Sequence, residues 1–485
     1  MKQIKIGWAS ASITPDRPLV MLGQMYHRVS EYVRDPITAT ALALDNGEAQ
    51  AVFVSLDMTE PPAHLDDDLR RRLSDLNGLD DDAISLSVTH THNSSDFHSD
   101  FLRYDNEQAF GKDILPVIDM DDDVLRGEEA RQFLLERVED IIRRAWNGRC
   151  EGGVSFAQDY AAVGFNRRPV FSIGGENQTI MYGDCSRDDF TGFENGADTA
   201  IGMMYTWDQS RNLTGMVVNV PCPSQVFELH RFITADYWAF ARSDIRAALG
   251  NVHILPFCGA SGDLAPIDLV RVSRDNQKAL LEWGGQTKEV FRNFDMTREC
   301  QGIAARILDA VRRGLRSSGS LIENTPVFKH QTLRLSLPIR MVSEEEYKEA
   351  AREVQRLQRV FSKSNPMKME DVVAAFETQG VVLRYRLQQK SRAVDILSHI
   401  VRIGVLAIAT NPFELFHSYA LRIRARAKAR QMMVVQLSNG IGGYLPTREA
   451  ILGGSYSSKA ASTLCGPEGG DMLVEETIRA VDSMF

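Results

Sequence analysis

Residues 35–58 read DPITATALALDNGEAQAVFVSLDM. Two apolar runs, 37–44 and 51–56, flank the pair Asn46-Gly47. Asn-Gly readily adopts the left-handed backbone of a tight hairpin turn, so this stretch predicts two antiparallel strands. Working outward, IKIGWASASITP (4–15) predicts a strand before them, and 65–77 a charged amphipathic helix. AISLSVTHTHNS (83–94) reads as a buried strand that alternates up to Thr89 and leaves into a polar loop.

The same pattern continues along the chain. Helices are expected at 128–147, at 233–250 with Gly250 as the stop, and at 296–315. The segment 152–220 looks β-rich, and VHILPFCGASGDLAP (252–266) is a strand running into a glycine-rich loop. Residues 325–342 read as paired strands. Ser343 caps a helix over 343–361 with acids in its first turn. VRIGVLAIATNPFELF (401–416) reads as one strand and a helix start, and QMMVVQLSNGIGGYLPT (431–447) as a strand and a turn. Residues 96–127 are acidic and aperiodic, which suits a lid or an insertion. The pattern predicts a mixed α/β fold. No linker divides 1–485, so we expect one catalytic unit, in two lobes (1–324 and 325–485) if it is divided at all.

Composition narrows the function. Of 485 residues, 44% are hydrophobic and 25% charged, which excludes disorder, collagen and coiled coil as the main architecture. The net charge of −10 argues against a nucleic-acid partner and leaves a small-molecule substrate. A homo-oligomer is compatible with the sequence. Six cysteines (150, 185, 222, 258, 300 and 465) without a CxxC pair suit a reducing compartment. No apolar run approaches the ~18 residues of a membrane span. The N-terminus lacks the apolar core of a signal peptide. A cytoplasmic protein is therefore expected, and a secreted form already freed of its leader fits as well.

Five features carry chemistry. His90 and His92 leave a strand two residues apart, so both imidazoles would share one face and meet one ion, or one would ligate and the other face substrate. The alternative is a pair of surface histidines. Cys222 sits between prolines that fix its backbone after an apolar strand, where a buried structural thiol is the commoner fate. GASGDLAP (259–266) offers backbone N–H groups and the Asp263 carboxylate, or a turn that Asp263 caps. Glu414 in NPFELF could ligate a metal or complement a helix dipole. Tyr444 and Tyr456 stand beside glycines, where tyrosines often anchor loops. No dinucleotide fingerprint, Walker motif or nucleophile elbow is present.

Taken in order, these segments resemble the catalytic domain of the neutral/alkaline ceramidase family. The resemblance runs through ITP (13–15), DPITATALAL (35–44), SLDM (55–58), THTH (89–92), GFNRR (164–168), NVPCP with TADY, GASGDLAP, PFELF and GYLPT with GGSY. It implies a mixed α/β catalytic domain with one zinc ion that cleaves N-acylsphingosine amides. It also implies roles: His90, Glu414 and Tyr444 as zinc ligands, His92 and Tyr456 facing substrate, and Arg167 holding an oxyanion or a substrate carboxylate.

Two positions depart from the family pattern. Cys222-Pro223 replaces a His-Pro pair, which makes Cys222 the expected fourth zinc ligand, with His230 in its place or loss of the metal as the alternatives. Ala265 replaces the serine of the GD-x-S-P loop, so attack by that hydroxyl is unavailable. The family's C-terminal β-sandwich is not expected in this chain. The resulting expectation is a zinc-dependent hydrolase of an amide or ester bond in a substrate more polar than ceramide. Zinc-bound water attacks, Asp263 or His92 takes the proton, and Arg167 and Tyr456 stabilise the oxyanion. The alternatives are a carbohydrate-active lyase or glycoside-cleaving enzyme, and a non-catalytic binding homologue.

Overall fold

The computed structural model describes residues 2–24, 28–95, 97, 121–283, 286–292, 295–361 and 369–485. Most of the acidic stretch read as a lid or insertion lies outside them. The larger sheet has eight strands: β1 (Lys5–Ser12), β2 (Thr38–Asp45), β3 (Gln50–Leu56), β4 (Ile84–Val88), β5 (Cys150–Tyr160), β6 (Ala200–Asp208), β7 (Leu213–Val220) and β8 (His253–Cys258). Their order across the sheet is β8-β7-β6-β5-β1-β2-β3-β4. The β2–β3 hairpin forms as its sequence predicts. Asp45 pairs with Gln50, Gly47 takes φ +74°, and Asn46 Oδ1 accepts the Ala49 N–H at 2.8 Å.

Strand periodicity divides the core. On β2, Ala39, Ala41 and Ala43 face the helix layer, while Leu42 and Leu44 face the opposite side. The helix layer comprises α1 (Leu65–Leu73), α2 (Gly127–Asn147), α3 (Tyr237–Leu249) and α4 (Met296–Ser318). Close approach here depends on small residues. A Cβ on Gly7 of β1 would stand 1.9 Å from the Ala145 carbonyl oxygen of α2.

The other face packs on a second sheet of β9 (Phe328–Pro338), β10 (Ala393–Ile403), β11 (Leu406–Thr410) and β12 (Gln431–Val435). Leu42, Phe53, Met204, Phe257, Val401, Ile408 and Met433 meet between the two sheets. The outer side of this sheet is covered by α7 (His417–Arg426) and α8 (Pro467–Asp482). The order of layers is helix, sheet, sheet, helix. Each large apolar side chain buried between them contributes about 1.5–3 kcal/mol.

Two sequence readings change. The paired strands expected at 325–342 are one strand, β9, whose partner β10 comes after a helical hairpin, α5 (Glu344–Phe361) and α6 (Met369–Gln388). The expected cap of α5 is present. Ser343 Oγ accepts the Glu346 N–H at 3.1 Å, and Glu346 Oε2 accepts the Ser343 N–H at 2.7 Å. The single strand expected at 401–410 is two, because Gly404 at φ +56° lets β10 turn back into β11.

Three parallel pairs position the site: β3/β4 across α1, β7/β8 across α3, and β11/β12 across α7. The loops that leave their carboxyl ends carry His90 and His92, Cys222 to Glu228, Asp263, Glu414 and Tyr444. Crevices at such strand ends are where open α/β sheets bind ligands. Among the described residues no helix is long and apolar enough to cross a membrane.

Candidate active site

The two histidines meet by a different route from simple strand alternation. β4 ends at Val88, and His90 adopts φ +60°, a left-handed conformation costly for a non-glycine residue. This kink turns the His90 and His92 rings edge to face at 4.9 Å between centroids. It is held by Thr91 N–H to the Met58 carbonyl (3.1 Å) and Thr59 Oγ to the Thr91 carbonyl (2.8 Å). Gly23 lies flat against His92, and a Cβ there would come within 2.7 Å of the imidazole.

His90 is buried, with Nδ1 2.6 Å from the Thr59 carbonyl and Nε2 3.3 Å from Glu414 Oε2. The carbonyl fixes a proton on Nδ1 and aims Nε2 at the carboxylate. Burial opposes protonation of His90, but the Glu414 carboxylate outweighs it and raises the pKa; burial likewise opposes ionisation of Glu414, and His90 outweighs it and lowers that pKa. Glu414 and Tyr444 are directly paired on two short parallel strands, Glu414–Leu415 and Tyr444–Leu445. Gly262 packs on this unit so closely that a Cβ would stand 2.3 Å from the Glu414 carbonyl oxygen.

His92 is the more open imidazole. Its Nε2 lies 3.5 Å from His90 Nε2 and 2.5 Å from Gln225 Nε2, and its Nδ1 lies 3.4 Å from Glu228 Oε2. Burial lowers the His92 pKa to about 4, so the ring is neutral at neutral pH. Burial works against the Glu228 carboxylate too, but Arg292, in direct contact, and His92 draw its pKa down to about 2. A buried anion thus holds a neutral imidazole whose other nitrogen accepts from the Gln225 amide.

Arg167 is 4% exposed and, among the described residues, hydrogen-bonds only neutral oxygens: Gly262 O at 2.8 Å, Tyr444 Oη at 3.0 Å and Tyr182 Oη at 3.4 Å. Its Nε is buried without a hydrogen-bond partner. Burial disfavours the cation, yet Tyr444, Tyr182 and Glu414 hold it charged. The Tyr444 and Tyr456 rings stand edge to face at 5.6 Å. Burial raises the hydroxyl pKa of both, so they are donors at neutral pH.

Asp263 stands behind this cluster. Oδ1 accepts the His417 N–H at 2.9 Å and Oδ2 meets His417 Nδ1 at 2.7 Å, so both oxygens are engaged at the start of α7. Its carbonyl also accepts the Arg167 N–H at 3.0 Å. The sequence suggests that Asp263 caps its own turn; the carboxylate instead caps the start of α7, and its contacts make it a support for Arg167 and α7. Ala265 is buried in a two-residue strand paired with Phe165. Ser261 Oγ is 3.1 Å from Gln436 Nε2, and Ser224 Oγ donates to the Thr89 carbonyl at 2.9 Å.

The donor set for a metal follows from these distances. Two zinc ligands at about 2.0–2.1 Å in a tetrahedron stand about 3.3 Å apart. The 3.3 Å between His90 Nε2 and Glu414 Oε2 matches that edge, and the Tyr444 hydroxyl adjoins both Glu414 and Arg167. Three protein donors and an open position suit a catalytic zinc site, so His90, Glu414 and Tyr444 fit. Cys222 stands apart from this set. It is fully buried in the helix-side core, Sγ lies 3.4 Å from the Pro223 carbonyl, and burial raises its pKa well above the ordinary thiol value. His230 is exposed and stacks on Phe232 at 4.8 Å. Among the described residues no group of three or more His, Cys, Asp and Glu is arranged to hold an ion.

Four site residues went unread in the sequence: Gln225, Glu228, Tyr182 and Arg292. Glu228 had a usable signal, a carboxylate set in the apolar run VFELH after β7. Arg292 had none, since it reaches the site from the end of a hairpin, Lys278–Trp283 with Gln286–Phe291.

No protein-family model and no curated protein sequence matches the chain. Solved structures do. A neutral ceramidase from Pseudomonas aeruginosa matches with a TM-score of 0.67 at 15% identity, over 100% of this chain and 75% of that one. A structure described as a ceramidase complexed with C2 matches with the same TM-score at 14% identity and the same coverage. At such identity the likeness is one of fold: the chain has a neutral-ceramidase-like mixed α/β fold.

Proposed function

We propose that the chain is a zinc-dependent hydrolase that cleaves an amide or ester bond of a small polar substrate, with water as nucleophile. The observation that carries this reading is Arg167: a buried guanidinium whose hydrogen bonds all go to neutral oxygens, beside a neutral imidazole backed by an anion. A buried cation hydrogen-bonded to neutral oxygens favours a group that becomes anionic, as a carbonyl oxygen does during acyl transfer. Zinc, held by His90, Glu414 and Tyr444, would supply Lewis acidity and a more acidic water.

The chain's own groups complete the reaction. Arg167 and the Tyr456 hydroxyl donate to the carbonyl oxygen as it gains charge. His92 Nε2 exchanges its contact with the Gln225 amide for the attacking water and accepts a proton from it, and Glu228 steadies the imidazolium that forms. His92 then returns the proton to the leaving nitrogen or oxygen as the acyl bond breaks. Ala265 offers no hydroxyl and the two nearby serines are hydrogen-bonded elsewhere, which favours direct attack by water.

The test is hydrolysis by zinc-reconstituted protein of a panel of N-acyl and O-acyl compounds. Arg167→Met should lower kcat by roughly 10²–10³ through loss of the oxyanion donor. A product carrying a new carbon–carbon double bond, or activity untouched by Arg167→Met, would overturn the reading.

A further inference from the structure

The turn that carries Tyr456 is strained. Ser455, just before it, adopts φ +77° and ψ 172°, a region populated almost entirely by glycine. Such a residue persists only where its surroundings fix it more firmly than the strain displaces it. One fixing contact is its own hydroxyl, which accepts the Met181 N–H at 3.0 Å. The others come from Arg168.

Arg168 follows Arg167 in sequence and is fully buried, but its guanidinium bonds a different set of groups. Nε and Nη2 grip the two oxygens of the Glu194 carboxylate at 2.6 and 2.8 Å. The same fork reaches the turn on both sides of the strained peptide. Nη2 donates to the Gly454 carbonyl at 2.5 Å, and Nη1 donates to Ser457 Oγ at 2.9 Å. Glu194 is itself held: the Thr179 hydroxyl donates to Oε1, and the Glu194 N–H donates to the Arg168 carbonyl at 3.2 Å. The fit is close, since a Cβ on Gly453 would stand 2.8 Å from Glu194 Oε1.

Charge separates the two arginines. Arg167 hydrogen-bonds neutral oxygens and can meet a developing anion, whereas Glu194 already neutralises Arg168. What remains for Arg168 to supply is geometry. The Tyr456 ring stands 5.6 Å from that of Tyr444, whose hydroxyl accepts from Arg167, so a shift of the turn separates the two oxyanion donors. We infer that Arg168, clamped by Glu194, is the positioning residue for Tyr456: it holds the strained Gly454–Ser458 turn so that the tyrosine hydroxyl stands where the oxyanion forms. The inference rests on the acyl-hydrolase reading of the same site.

Arg168→Lys tests it, because lysine keeps the charge beside Glu194 and loses the planar fork that reaches carboxylate and turn together. In the zinc-reconstituted protein it should lower kcat about tenfold with KM nearly unchanged, the mark of a contact made only in the transition state. In the Tyr456→Phe background the same substitution should cost less than about twofold further, since the hydroxyl it positions is gone. Backbone hydrogen exchange over 454–458 should speed at least about tenfold, with exchange elsewhere unchanged. Ser457→Ala removes a single contact of the fork, guards against a fold defect, and should move each readout the same way by less. An equal loss of kcat with and without the Tyr456 hydroxyl, wild-type kcat, or unchanged exchange in the turn would overturn the inference. The two claims fail separately. Absence of hydrolysis in the wild type would sink the hydrolase reading while exchange still decides whether Arg168 holds the turn, and hydrolysis with fully additive losses would sink this inference alone.

Discussion

Replacing Glu228 by glutamine changes one atom and should disable the site. Glu228 is 6% exposed and touches Arg292 with Oε1 and His92 with Oε2. Its pKa falls from 4.5 to about 2, although burial pushes the other way. At about 1.4 kcal/mol per pKa unit, the native surroundings favour the anion by about 3 kcal/mol. For a depressed carboxylate that stabilisation is present above the ordinary value and is lost as pH falls toward about 2. At neutral pH Glu228→Gln should therefore lower unfolding free energy by about 3 kcal/mol, read from a reduced urea midpoint. The activity loss has a separate cause. Arg292 can only donate, so the glutamine oxygen must face it and the NH₂ group must face His92 Nδ1. That nitrogen becomes the acceptor, the ring proton moves to Nε2, and Nε2 can no longer take a proton from water. Loss of general-base help should reduce kcat by roughly 10²–10⁴. Hydrolysis assays above the KM of both proteins, with urea unfolding in parallel, measure the two effects. A variant with wild-type kcat and a lowered urea midpoint would show that His92 is not the base.

Two further outcomes are expected. Cys222→Ser buries a hydroxyl in an apolar core and should cost about 1–3 kcal/mol of stability, while zinc stoichiometry by elemental analysis stays that of wild type; loss of zinc in this variant would return Cys222 to the ligand set. His417 is held above its ordinary pKa despite burial, because Asp263 faces it. That stabilisation is complete below the unfolded value of 6.5 and fades as pH rises through the folded one, so the thermal midpoint should decline as pH rises above 6.5. In His417→Gln the decline should disappear, and an identical profile in both proteins would refute the pairing.

The sequence was legible wherever local physics decides. Alternation and the Asn46-Gly47 turn placed the β2–β3 hairpin, and apolar strands that exit into polar loops marked the ends where the site lies. His90, His92, Glu414 and Tyr444 stand at such exits, whereas Arg167 and the role of Tyr456 were readable only through the family resemblance. Other features depend on distant partners. The left-handed turn at His90 is imposed by Thr59 and Thr91, and strand alternation gives no sign of it. Asp263 could cap or catalyse until His417 appeared beside it. Cys222 carried the register of a ligand, but its side chain faces the helix-side core. Arg292 comes from a hairpin whose docking onto the site no local pattern encodes.

The central claim is that water attacks an acyl carbon directly. A single turnover in ¹⁸O-labelled water, with excess zinc-loaded protein and an N-acyl substrate, measures this. The account predicts label in the released carboxylic acid and no mass increase on the intact protein at any time during the turnover. An acyl adduct on the protein, or a released product without label, would contradict it.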